Sequence, residues 1–171
     1  YKNFFMKVNI ALLTVTDTRT IDNDKSGGIL VNKFKESNHH LIERKICKDN
    51  KDDIVDILKE WLKNEKIDVI ITTGGTGLTG RDITPEALNE VAEKHIPGFG
   101  EMFRNISIKS VGTSAIQSRA CAVLSNGKYI FALPGSSGGV TDAWEGILKH
   151  QLDINHKPCN FVELFPRLKE K

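Results

Sequence analysis

The sequence predicts an α/β fold: a mostly parallel sheet with helices on both faces, plus a short β-hairpin near Asn126-Gly127. Three observations carry that prediction. Apolar runs of strand length recur along the chain, helical stripes of apolar residues lie between them, and polar or glycine-rich turns separate the two. Residues 1–171 read as a single domain, because no linker, internal repeat or low-complexity tract interrupts the pattern.

Val8 to Val15 is the first strand, apolar enough to be buried on both sheet faces, and it ends in Thr16-Asp17-Thr18-Arg19. After Ser26-Gly27-Gly28, Leu30, Lys33 and Phe34 fall at near-helical spacing up to Ser37, and Leu41 to Cys47 forms the next strand, completing a βαβ unit. Ile54, Ile57, Leu58, Trp61 and Leu62 occupy one stripe of a helix that starts near Asp49 or Asn50. Ile67 to Thr73 is a third strand delivering Gly74-Gly75-Thr76-Gly77 to its C-terminal end. Pro85, with Thr84 before it as an expected N-cap, opens a helix carrying Leu88, Val91 and Ala92. Asn126-Gly127 joins Ala122–Leu124 to Tyr129–Leu133 as a hairpin, since both turn residues tolerate positive φ. Pro134-Gly135-Ser136 then leads into the stripe Val140, Ala143, Trp144, Ile147 and Leu148, and the polar tail from His156 is expected to wrap over the surface.

Composition narrows the partners. The 24 Lys and Arg nearly balance 22 Asp and Glu, so no field of one sign exists to steer nucleic acid. The longest apolar stretch, around Ile10 to Val15, is far short of the roughly 20 residues that span a bilayer. Tyr1 to Lys7 contains Phe4, Phe5 and Met6 but no apolar core followed by a cleavage site, so no signal peptide is expected. Cys47, Cys121 and Cys159 lie far apart and form no C-x-x-C pair, which reads as idle thiols in a reducing compartment, the cytoplasm. His39 and His40 lack metal-ligand spacing and are expected to be solvated.

Ligands of a parallel sheet sit beyond the carboxyl ends of its strands, where the turns Thr16 to Gly28, Gly74 to Thr84 and Pro134 to Gly139 should gather. Gly75 to Gly80 matches G-x-G-x-x-G literally, yet Thr84-Pro85 delays the following helix beyond the place a dinucleotide fold requires. A P-loop is excluded too, because Arg81-Asp82 stands where Lys and Ser or Thr belong. What remains is a turn with little side chain, whose backbone N–H groups are free to face an anion such as phosphate. Asp82 either caps the next helix or holds a divalent ion beside that anion, with Arg81, Thr84 and Glu86 close by in sequence. Asp49 has the same two readings ahead of its own helix, and Pro134-Gly135-Ser136 offers a second helix start suited to an anion. No Ser, Cys or His constellation points to a covalent nucleophile.

The string Thr72 to Ala87, TTGGTGLTGRDITPEA, resembles the MoaB and Mog family of molybdenum cofactor biosynthesis proteins, whose domain also occurs in gephyrin and plant molybdopterin adenylyltransferase. Thr14–Arg19, Pro97–Glu101, Ser118-Arg119-Ala120 and Leu133–Ser136 agree in order, and Pro158-Cys159-Asn160-Phe161 is similar to the MoaB branch in particular. The resemblance implies transfer of an adenylyl group from magnesium ATP to the terminal phosphate of molybdopterin, with release of pyrophosphate. It implies Asp49 and Asp82 as catalytic carboxylates that hold Mg2+, Gly74, Gly75, Thr76, Gly77 and Ser136 as the phosphate cradle, and Pro134 and Gly135 as further substrate-binding residues. Thr16, Asp17, Arg81, Thr84 and Ser118 would complete the substrate site, with Glu101 and Arg119 near the pterin. It further implies a homotrimer or a dimer of trimers, and contact with other proteins of cofactor biosynthesis. A pterin-binding, carrier or scaffold protein without turnover stays open beside the enzyme.

Overall fold

The computed structural model describes residues 6–171, so the reading of Tyr1 to Phe5 for a leader lies outside it. Six strands form one sheet: β1 Asn9–Val15, β2 His40–Cys47, β3 Val69–Thr73, β4 Lys94–His95, β5 Cys121–Ser125 and β6 Lys128–Leu133, in the order β2-β1-β3-β6-β5-β4. The first four in that order are parallel; β5 and β4 are added antiparallel at one edge. The hairpin is present as expected, with Asn126 at φ 47° and Gly127 at φ 70°, the pair of positive values that a tight two-residue turn needs.

Successive residues of the central strands point to opposite faces. Ile10, Leu12, Val69, Ile71, Phe131 and Leu133 pack with α1 (Lys25–Glu36), α4 (Pro97–Val111) and α5 (Ser137–Ala143). Ala11, Leu13, Val15, Ile70, Ile130 and Ala132 pack with α2 (Lys51–Lys63) and α3 (Thr84–Val91) on the other side. The chain after α5 continues through a π-helical turn, Trp144–Leu148, into α6 (Lys149–Gln151). All five residues of the expected Val140-to-Leu148 stripe are buried. The tail does more than wrap: Phe161 stacks on Tyr129 and Phe165 packs against it at a tilt, while the Tyr129 hydroxyl donates to the Phe161 carbonyl at 2.9 Å.

Several local expectations are corrected. Helix α4 and the 3-10 run Gly112–Gln117 stand where no element was read. The cap of α2 is Asn50, which accepts from the Asp53 amide at 3.1 Å, so Asp49 does not cap it. Helix α3 has Ile83 at the cap position and no side-chain cap at all; Thr84 is not its cap, and neither is Asp82. His39 is not solvated, since its Nδ1 accepts from the Val8 amide at 3.2 Å and its ring meets Trp144 edge-on, while burial lowers its pKa. The three cysteines are free, as read, although only Cys159 is exposed. Among the described residues no helix is long and apolar enough to cross a membrane.

Candidate functional site

The expected gathering of three turns is present, and specific contacts stitch them. The Gly74 amide donates to the Leu133 carbonyl at 3.0 Å, and the Thr73 hydroxyl donates to the Pro134 carbonyl at 2.7 Å. Gly74 has φ +101°, and a Cβ there would stand 2.2 Å from the Val15 carbonyl oxygen. Gly75 has φ +70°, and a Cβ there would stand 2.3 Å from the Thr84 hydroxyl and 3.2 Å from Asp49 Oδ1. Only glycine fits either place. Thr84 lies buried beneath the turn, donating its hydroxyl to the Gly74 carbonyl at 2.8 Å, so it shapes the turn from below.

The turn is not a row of four free amides. Gly74 N–H is taken by Leu133, and the Gly77 amide hydrogen-bonds the Asp82 carboxylate. Among the described residues, the Gly75 and Thr76 amides make no backbone hydrogen bond. These two donors border a cleft of about 590 Å³. Gly75, Thr76, Gly77 and Asp82 form one wall and Pro134, Gly135 and Ser136 another. The third wall is Phe103, Ser107 and Val111 of α4, which sequence reading missed together with the helix. The buried spacing Phe99, Phe103, Ser107, following Pro97 at the helix start, was the signal for it. Ser136 faces this cleft while its hydroxyl accepts from the Gly139 amide at 3.0 Å, capping α5.

Charged groups meet at the mouth. Arg81 grips Asp17 with two hydrogen bonds, at 2.9 and 2.8 Å, and Asp17 also accepts from the Asp49 amide at 3.1 Å. The Arg81 hydrogen bonds hold the Asp17 carboxyl below its ordinary pKa. Asp49 moves the other way: burial raises its pKa, and the neighbouring charges of Asp17 and Asp82 add to the rise. Burial also acts to raise Asp82, but the Thr79 hydroxyl and amide, the Gly77 amide and the Arg119 charge outweigh it, so its pKa is lowered. The protein thus crowds three carboxylates around one loop and leaves one of them reluctant to ionise, a charge pattern that a divalent cation would relieve. Among the described residues no group of three or more His, Cys, Asp or Glu side chains is placed to hold a metal ion.

Thr16 closes its own turn, accepting from the Thr18 and Arg19 amides at 3.3 Å. Ser118 borders the main cleft and also a second recess of about 530 Å³, which holds Glu101, Arg104 and Arg119. Glu101 and Arg119 are therefore not in the main cleft.

With this geometry in view, residues 11–154 match the family described as probable molybdopterin binding domain. The chain belongs to that family. It is 41% identical over 166 residues to molybdenum cofactor biosynthesis protein B of Escherichia coli (strain K12), covering 97% of this chain and 96% of that one. It is 45% identical over 149 residues to the protein of the same name in Staphylococcus aureus (strain MRSA252), covering 85% and 88%. A crystal structure of molybdenum cofactor biosynthesis protein B superposes with TM-score 0.87 at 36% identity, covering 97% and 98%. That of the tungsten cofactor synthesizing protein MoaB from Pyrococcus furiosus gives 0.76 at 33%, covering 86% and 94%. These likenesses are consistent with the MoaB branch of this molybdopterin-binding-domain family.

Proposed function

We propose that this chain acts in molybdenum cofactor biosynthesis by adenylylating molybdopterin. The terminal phosphate of the pterin attacks the α-phosphate of ATP, and pyrophosphate leaves. The observation that carries this reading is the cleft whose walls present the Gly75 and Thr76 amides, the Asp82 carboxylate and the Pro134–Ser136 turn to one space. Such a reaction needs two phosphate-bearing substrates aligned and their charge neutralised, with no protein nucleophile. Magnesium, held by Asp49 and Asp82, would supply the charge that offsets the phosphates. Arg81, released from Asp17, would pair with a phosphate oxygen. Thr16 and Thr84 would support the loops, Ser118 would contact substrate where the two recesses meet, and Glu101 would face the pterin.

The test is incubation with molybdopterin and magnesium ATP, following pyrophosphate and adenylylated pterin. Formation of both is expected. Absence of both under conditions where a homologue turns over rejects the reading. A second reading, pterin binding without turnover, is favoured by the engagement of Arg81 with Asp17 and of Asp82 with Thr79 at 2.9 and 2.7 Å. It predicts affinity for the pterin with no pyrophosphate. A homotrimer or pair of trimers belongs to the same proposal, built through the exposed apolar side chains Met102, Ile108, Val111 and Ile116 of α4 and the run after it. Sedimentation showing only monomers at working concentration would reject it.

A further inference from the structure

Arg119 makes four hydrogen bonds to one loop and its flank. Its backbone amide donates to the Thr76 carbonyl at 2.8 Å, its Nε to the Gly77 carbonyl at 2.7 Å and its Nη2 to the Asp82 carbonyl at 3.0 Å. Its Nη1 donates to Glu86 Oε1, in the first turn of α3. The Gly77 and Asp82 carbonyls therefore point toward one guanidinium and the Thr76 carbonyl toward the backbone amide of the same residue, which does not line the cleft.

A peptide unit whose carbonyl is fixed has its N–H fixed on the opposite side. Anchoring the Thr76 and Gly77 carbonyls thus constrains the peptide planes that carry the Gly77 and Leu78 amides, the first of which faces the Asp82 carboxylate. Anchoring Asp82 by its carbonyl leaves its carboxylate free to turn inward to Thr79 and the cleft. Glu86 Oε2 is shielded with no hydrogen-bond partner among the described residues, although the Glu86 and Arg119 side chains as wholes are 42% and 32% exposed, so the pair sits at the rim and not in the core.

We propose that Arg119 and Glu86 are a positioning pair: Arg119 staples the Thr76–Asp82 loop so that the Gly77 amide and the Asp82 carboxylate keep their places beside the cleft, Glu86 fixes the staple, and neither touches the ligand. The proposal rests on the transferase reading only for its effect on turnover. It replaces the pterin-side role that the resemblance implied for Arg119.

The test compares Glu86→Gln, which keeps the shape but removes the charge, with Arg119→Ala in the full chain. Hydrogen exchange of the Thr79 and Asp82 amides is expected to quicken about tenfold in both, while sheet amides such as Leu12, Ile71 and Ile130 keep their wild-type rates. Affinity for magnesium ATP, read by calorimetry, should fall about tenfold, and turnover should fall further than KM rises. Guanidinium ion added to Arg119→Ala should restore part of the loop protection. Unchanged loop exchange in both variants, or faster exchange spread equally over loop and sheet, overturns the proposal. A wild-type chain that releases no pyrophosphate rejects the transferase reading instead, and the exchange and affinity results then decide the positioning pair alone.

Discussion

Asp49 Oδ1 lies 3.2 Å from the point where a Cβ on Gly75 would stand, and Thr84 Oγ1 lies 2.3 Å from the same point. The turn and the carboxylate are therefore packed so that the backbone fills the place of a side chain. Gly75→Ala is expected to cost about 1 to 3 kcal/mol, from the φ of +70° and from displacing Thr84 off the Gly74 carbonyl. It should also move the Asp49 carboxylate and abolish any phosphate-dependent activity. Urea denaturation with a parallel pyrophosphate assay checks both; an alanine variant as stable and active as the parent refutes the packing argument.

Thiol labelling tests the burial around the site. Burial pushes Cys47 up to about 12 and Cys121 up to about 11, so both are neutral thiols at pH 7.5 and partly shielded. Cys159 is exposed on the tail. Since the thiolate is the reactive form, a maleimide at pH 7.5 should modify Cys159 quickly and leave the other two until the chain is unfolded. Mass spectrometry of the labelled chain reads the result directly, and rapid loss of all three thiols contradicts it.

Asp24 is a structural rather than a chemical aspartate. It caps α1 through the Gly27 amide at 3.0 Å, accepts from the Thr14 hydroxyl at 2.6 Å and pairs with Arg44 at 3.2 Å, with its side chain fully buried. Burial opposes its ionisation, yet these partners outweigh it and lower its pKa. A lowered folded value means that its stabilisation is complete above the ordinary carboxylate pKa and is lost as pH falls through the folded value. Asp24→Ala should cost about 3 kcal/mol at pH 7, because Arg44 is left without its partner in a half-buried place. The penalty should shrink on acidification below pH 3.8, which denaturant melts at pH 7 and in that acidic range would show.

The parts of this architecture that were legible in the sequence are those written locally. Strands β1, β3 and β6 are continuous apolar runs, α2 carries an unbroken stripe, and Asn126-Gly127 sets its own turn. Helix α4 was lost because Gly100 and Ser107 sit in its buried stripe while Met102, Ile108 and Val111 are exposed, which breaks the apolar period. Capping roles were misassigned at Asp49 and Thr84 for a different reason. Asn50 already caps α2, and the Thr84 hydroxyl finds Gly74, ten positions upstream, only once the loop has folded back. The Arg81 pairing with Asp17 and the Arg119 pairing with Glu86 join residues 64 and 33 positions apart, beyond the reach of any local pattern.

Asp49 and Asp82 invite the sharpest comparison, since the same substitution should move stability in opposite directions. Burial and the charges of Asp17 and Asp82 raise the Asp49 pKa, so the folded state disfavours its ionised form, and stability declines as pH rises from the unfolded value through the folded one. At pH 7 Asp49→Asn removes that unfavourable charge and should leave the protein as stable as the parent or slightly more so. Asp82 is favoured as the anion by Thr79, Gly77 and Arg119 despite its burial, so its contribution is complete above the unfolded value and lost as pH falls through the lower folded one. Asp82→Asn should therefore cost about 1 kcal/mol at pH 7, the worth of its lost charge-assisted hydrogen bonds. Both variants should lower adenylyl transfer by roughly tenfold or more, because each removes a carboxylate from the proposed magnesium site. Thermal melts without magnesium separate the two effects from catalysis. Equal destabilisation by both substitutions would mean that Asp49 serves the fold, and its place in the proposed site would have to be given up.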